Sequence, residues 1–261
     1  MSKIIEEGYI LVGTNNIKKL SDNKYAITNT SGKISYDMVS MDNPSTEKEK
    51  QICSRLSKSR LDTIKKWNIS MLESEFKSTL YLLSDTGSDA NKLAEHFFSG
   101  EGKLFSFSSS TNLANEIKNS DQFDEFKKAL DSKINNEAKD GCLKKEKEDG
   151  TYEILRIKDI ALPYYGISEV FMTNDDAAAI LGGIQLAIVK YKLYKKGSNT
   201  FRTKLTDVFF YDTFGAGWDD ACNTMKSYSD GLVAMFVLQH YKNINNPKKY
   251  QPFVIGVHIK L

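Results

Sequence analysis

An α+β fold, with a helical layer packed on a mainly antiparallel β-sheet formed by the C-terminal half, is expected from this chain on three grounds. Apolar residues recur at helical spacing through residues 44–138. Runs rich in Val, Ile, Tyr, Phe and Thr dominate residues 152–261. The two kinds of segment are grouped, whereas a parallel βαβ sheet would need them to alternate.

Residues 1–43 read as an N-terminal β-hairpin extension, and residues 44–261 as one α+β domain. "GYILVG" and "KYAITNTSGKISYDMV" are strand-like and punctuated by "TNN", "SDN" and "TSG", which is turn chemistry. "TSG" between "YAIT" and "KISY" predicts a hairpin. Pro44 and Ser45 precede a polar helix running to Trp67, with Ile52, Leu56 and Ile64 as sparse apolar points. Leu72, Phe76, Leu80 and Leu83 form one stripe of the next helix. Asp89 can cap "ANKLAEHFF", and Gly100 sits where a C-terminal glycine belongs. His96, among Leu93, Phe97 and Phe98, reads as a packed histidine. Ser120 can cap a helix whose buried stripe is Phe123, Phe126, Leu130 and Ile134. Residues 139–151 are a charged, glycine-bounded loop or hairpin tip.

Residues 184–194 and 200–212 are expected to pair as a hairpin around Gly197–Asn199. "GLVAMFVLQHY" is short and apolar throughout, so its period leaves helix and strand both open. It reads as a strand because "YQPFVIGVHIKL" after it is plainly one.

Composition narrows the function classes. Charged residues make up 27% of the 261 residues, yet the net charge is only +2, so the charge is mixed and predicts no nucleic-acid partner. Cys53, Cys142 and Cys222 have no metal-ligand spacing and read as reduced thiols of cytosolic synthesis. A count of only three histidines argues against a zinc site of common design. No P-loop, GxGxxG, HExxH or GxSxG occurs, and no cofactor is evident. The start, "MSKIIEEGYI", carries no Sec-type signal. The run Ala177–Val189 is too short for the roughly 20 residues of a membrane span, so no integral membrane segment is expected.

The stretch "FFYDTFGAGWDD" (209–220) holds the candidate site. On a strand, Val208, Phe210 and Asp212 share one face, with Arg202 and Lys204 earlier on it, while Asp207, Phe209 and Tyr211 share the other. Large apolar groups on both faces predict a strand covered on both sides, with Asp212 at its rigid end. A carboxylate there can serve catalysis or bond the backbone of a turn. Gly215 and Gly217 let a ligand approach the backbone, and Trp218 offers an apolar wall beside Asp219 and Asp220. That acidic pair would suit a divalent cation if a third ligand converged on it. His240, at the end of "LQHY" with Gln239 on the other face, is the natural general acid or base if the protein is an enzyme. The candidate catalytic residues are thus Tyr211, Asp212, Asp219, Asp220 and His240, with Arg202, Trp218 and Gln239 as candidate substrate contacts.

"FYDTFG" followed by Asp219 or Asp220, and "GLVAMFVLQHYKN…YQPFV", resemble an uncharacterised family of Gram-negative bacterial proteins, a domain of unknown function associated with type VI secretion and polymorphic-toxin loci. The resemblance covers residues 70–261, with "FKSTLYLLSDTG…NLANEI" as its front part, and departs at Thr213, where the family tends to carry histidine. "LGGIQLAIV…TDVFFYD" is also similar to the catalytic domain of colicin M type bacteriocins, with Tyr211 and Asp212 matching. Phe209 and Asp219 stand where that domain has an aspartate and an arginine. These resemblances imply an antibacterial effector made in the bacterial cytoplasm and exported into a target cell by a type VI or related secretion system. The implied activity is hydrolysis of a cell-envelope substrate, a peptidoglycan precursor or a lipid. The implied partners are a secretion carrier or spike protein and a cognate immunity protein. The alternatives are a non-enzymatic effector or adaptor that binds a partner or membrane, and an accessory part of the secretion apparatus.

Overall fold

A computed structural model describes residues 3–21, 24–29, 53–83, 89–99, 101–138, 146–148, 152–165, 176–197, 201–222, 230–242 and 249–261. The elements run β1 (Lys3–Val12), β2 (Asn15–Ser21), β3 (Lys24–Asn29), α1 (Arg55–Ile64), α2 (Ile69–Leu83), α3 (Asp89–Ser99), β4 (Phe105–Phe107), α4 (Asn112–Asn119) and α5 (Asp121–Ala138). After these come β5 (Glu146–Glu148), β6 (Tyr152–Ile157), α6 (Asp176–Ile180), β7 (Leu186–Lys195), β8 (Phe201–Phe214), α7 (Trp218–Cys222), α8 (Asp230–Val237), a π-helical turn (Leu238–Lys242) and β9 (Phe253–Lys260).

The fold is α+β. Seven strands form one mixed sheet in the order β4-β9-β8-β7-β1-β6-β5. The β9–β8, β8–β7, β7–β1 and β6–β5 pairings are antiparallel, and β1–β6 and β4–β9 are parallel. The sheet is therefore not confined to the C-terminal half. β1 is an interior strand, between β7 and β6, with Ile10 opposite both Val189 and Leu155. Ile10, Leu11 and Val12 are buried there. The hairpin expected around "TSG" falls partly outside the described residues. The pairing that is described joins β2 to β3, with Ser21 opposite Lys24.

The helices cover one face of the sheet. α2 buries Leu72, Phe76 and Leu80, and α5 buries Phe123, Phe126, Leu130 and Ile134. Ser120 Oγ accepts from Phe123 N at 3.2 Å, the expected cap. On α1 the buried positions are Ser57, Leu61 and Ile64, whereas Leu56 is 78% exposed because it points away from that side. Residues 46–52 lie outside the described residues. Asp89 opens α3, but its carboxylate accepts from Leu113 N at 3.1 Å and so caps the neighbouring α4. Phe210 of β8 meets Phe123 and Phe126 at ring distances of 5.9 and 5.4 Å, and Phe214 meets Phe76 and Phe97 at 6.1 and 6.3 Å. These aromatic contacts lock the core face of β8 to three helices. On the opposite face, Ala26 and Ile27 of β3 cover Val254, with Tyr211 at their margin.

β7 and β8 pair as expected, Leu186 opposite Tyr211, while residues 198–200 of the expected turn lie outside the described residues. One feature of the pairing was not foreseen. Lys190 pairs with Asp207 but Tyr191 pairs with Leu205, leaving Thr206 as a bulge residue. The bulge reverses the inside and outside of the strand's first half. Thr203 and Leu205 face the core, and Arg202 and Lys204 do not share the face of Asp212.

Residues 230–242 correct the strand expectation. They form α8 and the π-helical turn, and β9 pairs with β8 instead. α8 packs against α2, α1 and α7. Because it is enclosed on nearly all sides, it has no polar face and hence no helical period to read. Cys53 and Cys222, 169 residues apart, are joined by a disulfide with a Cα–Cα distance of 4.7 Å, which corrects the reduced-thiol expectation for this pair. Cys142 lies outside the described residues.

Candidate functional site

The corner after β8 is held by side chains that bond its backbone. Ala216 N donates to Gln239 Oε1 at 3.1 Å, and Gln239 Nε2 donates to Ala216 O at 3.4 Å. Gly215 has no room for a side chain, since a Cβ would sit 2.9 Å from Pro252 Cβ. Gly217 N donates to Asp220 Oδ2 at 2.9 Å, the carboxylate half of a capping box at the start of α7. The π-helical turn places Gln239 beneath this corner, consistent with such turns being used where a helix must re-aim a side chain.

The sequence-predicted residues do not gather in one place. Asp212 is only 4% exposed and faces the core. Burial drives its carboxyl well above the usual range, against weaker opposing bonds from the Thr213 backbone and the Gln185 side chain. Tyr211 is on the other face, in a small cavity with Phe209, Gly256 and His258. Burial raises its phenol pKa. Adjacent in sequence, Tyr211 and Asp212 therefore cannot act on one substrate atom from the same side. His240 is buried, its ring centroid 4.3 Å from that of Phe236. Burial lowers its pKa, partly offset by a bond to the Ala216 backbone, so the imidazole is held neutral. Trp218 is buried against Phe236 at 4.8 Å, so it is a core ring and not an open wall. Arg202 lies at the far end of β8, about 33 Å from Asp212 at the usual rise of a strand. Asp219 lies on α7, but its side chain is outside the described residues.

Thr213, Phe214, Gly215 and Asp220 do converge. They line a cavity of about 260 Å³ together with α2, α6 and α8. Its far wall carries Thr79, Leu232 and Met235, and Tyr164 stands at its edge, 66% exposed. The walls are mostly apolar with a few polar groups, the usual make-up of a small-ligand pocket. Thr79 is 3% exposed, and its Oγ1 has no hydrogen-bond partner among the described residues. Thr213 Oγ1 accepts from Gln185 Nε2 at 2.9 Å. The sequence reading passed over Thr79, although a polar residue beside Phe76 and Leu80 on an apolar stripe was the available signal.

Among the described residues, no three His, Cys, Asp or Glu side chains come together as a metal site would require, and no helix is long and apolar enough to cross a membrane. Comparison of the chain with protein-family models, with characterised proteins and with solved structures returns no match. The site is accordingly read from its own geometry.

Proposed function

We propose that this chain is an antibacterial effector that engages cell-envelope material through the pocket beneath the 213–220 corner. The observation that carries this reading is the convergence of Thr213, Phe214, Gly215 and Asp220, from the stretch resembling the toxin-associated family, on one mostly apolar cavity. Apolar walls with a carboxylate and hydroxyls at separate points suit a compact ligand that is largely apolar and carries hydrogen-bonding groups. A lipid-linked or acyl-bearing envelope component has that character.

The geometry favours recognition over bond cleavage. Asp212 and Tyr211 lie on opposite faces, and His240 is enclosed and neutral, so these three do not form the acid–base set that hydrolysis would need. A secretion carrier and a cognate immunity protein are the partners this role entails.

The test is growth of a susceptible bacterium expressing the chain with and without a periplasmic signal. Growth arrest is expected on export, with little effect from cytoplasmic expression. Leu232→Trp, which fills the pocket, and Asp220→Asn should each abolish arrest at an unchanged melting temperature. Undiminished arrest with a folded, filled pocket would overturn the pocket as the site. Absence of arrest from either compartment would overturn the effector role.

A further inference from the structure

The net charge of +2 hides a sorted patch at the opposite end of β8. β9 stops pairing at Asp207, where Lys260 lies opposite, so residues 201–205 of β8 form an open edge. Along that edge runs a groove of about 660 Å³. Lys118, Lys127, Lys196, Arg202 and Lys204 line it, against a single acidic side chain, Asp131, with Leu261 also on its wall. Lys127 is already engaged by Asp124 at 2.8 Å, and Lys118 Nζ donates to Lys260 O at 2.6 Å. Among the described residues, Lys196, Arg202 and Lys204 take part in no ion pair. Asp131 offsets part of this charge, since Lys127 and Arg202 both act on its half-buried carboxyl, but one acidic side chain stands against five cations.

Two further observations narrow the occupant. Tyr194 also lines the groove and is the direct cross-strand neighbour of Arg202, which sets a ring and a guanidinium side by side, their Cβ atoms about 5 Å apart. The open edge itself is blocked to an added strand, because Asn135 Oδ1 accepts from both Thr203 N and Thr203 Oγ1 at 3.0 Å. A ligand must therefore be held by side chains and not by main-chain pairing. Charges on an edge strand also guard against edge-to-edge association. That role alone accounts for neither the two helical lysines nor the concavity.

We propose that this groove binds a phosphate-bearing anion of nucleotide size, with its phosphates on Arg202, Lys204 and Lys196 and its ring on Tyr194. Arginine and lysine supply charge-assisted bonds to phosphate oxygens, and aromatic faces take bases by stacking. The volume lies within the range of small-ligand sites, roughly 300–1,000 Å³.

The experiment is calorimetric titration of the full chain at low salt with ADP, pyrophosphate and adenosine as separate probes. ADP is expected to bind saturably, more tightly than either fragment, and to weaken as salt rises. Arg202→Glu/Lys204→Glu should weaken ADP at least ten-fold, and Tyr194→Ser should bring ADP down to the affinity of pyrophosphate. Should the first pair disturb the fold, Lys118→Glu/Lys196→Glu reads the same charge dependence from other elements. Absence of ADP binding, ADP binding unchanged by folded charge-reversed variants, or pyrophosphate binding as tightly as ADP overturns the proposal. So does a polyglutamate peptide that binds where ADP does not.

Discussion

Gln239 grips both backbone groups of Ala216, accepting from its N–H at 3.1 Å and donating to its carbonyl at 3.4 Å. One buried side-chain amide on the π-helical turn thus does for the corner what a neighbouring strand does for a sheet residue. Replacing it with methionine keeps the volume and removes both bonds. Leaving buried backbone groups unpaired costs about 1–3 kcal/mol each. Gln239→Met is therefore expected to lose about 2–6 kcal/mol in urea denaturation. A midpoint equal to that of the parent would show that Ala216 finds other partners.

Asp212 gives a pH signature. Its folded pKa lies well above its unfolded value because burial opposes the charge. The folded state therefore binds the proton more tightly, and stability falls as pH rises from about 4, the ordinary carboxylate value, up to the raised folded value. Asp212→Asn cannot ionise and escapes that loss. It should melt above the parent at pH 7, with the gap closing as pH falls towards 4. Thermal melts from pH 3.5 to 8 measure this, and a variant that melts lower at every pH would reverse the assignment.

Gly231 sits where α8 crosses α2. A Cβ there would lie 2.0 Å from Thr79 Oγ1 and 2.4 Å from Thr79 Cβ, so something must move. Gly231→Ala is expected to cost about 1–3 kcal/mol or more through overpacking. Thr79→Gly in the same chain should recover part of that loss, a non-additive pair in a double-mutant cycle. Additive effects would place the strain elsewhere.

The Cys53–Cys222 bond closes a loop of 169 residues and ties the residues before α1 to the end of α7. In the chain-entropy model so long a loop is worth about 5 kcal/mol, while measured bridges typically give about 2–4. Dithiothreitol, or Cys53→Ala/Cys222→Ala, should lower the denaturation midpoint accordingly. A reducing agent that leaves the midpoint in place would mean that the bridge contributes nothing to folding.

The sequence made some of this legible and hid the rest for physical reasons. The stripes of α2 and α5 and the β7–β8 hairpin were readable because one of their faces meets the core and the other does not. α8 was not, because burial on nearly every side erases the contrast that a period needs. Asp212 was placed on its correct face, but Arg202 was not, since a single extra residue at Thr206 reverses the alternation with no local mark in the sequence. The corner "FGAGW" was legible as a corner. That Gly215, and Thr213 just before the corner, line a cavity depended on α2 and α8, elements far apart in sequence and invisible to local spacing. Net charge likewise concealed the groove, because it sums over the whole surface what the fold gathers at one end of β8.

The interior place of β1, between β7 and β6, has a consequence for how the chain matures. Its two partners are separated from it by most of the molecule, with Ile10 meeting Leu155 on one side and Val189 on the other. During synthesis β1 leaves the ribosome well before β6 and β7, and both its edges stay bare until they emerge. Contacts of such long range slow the search for the native state, and an unpaired apolar strand is a natural substrate for chaperones. A nascent chain stalled before residue 186 therefore holds an incomplete sheet, and completion of the fold waits for translation to finish the other half.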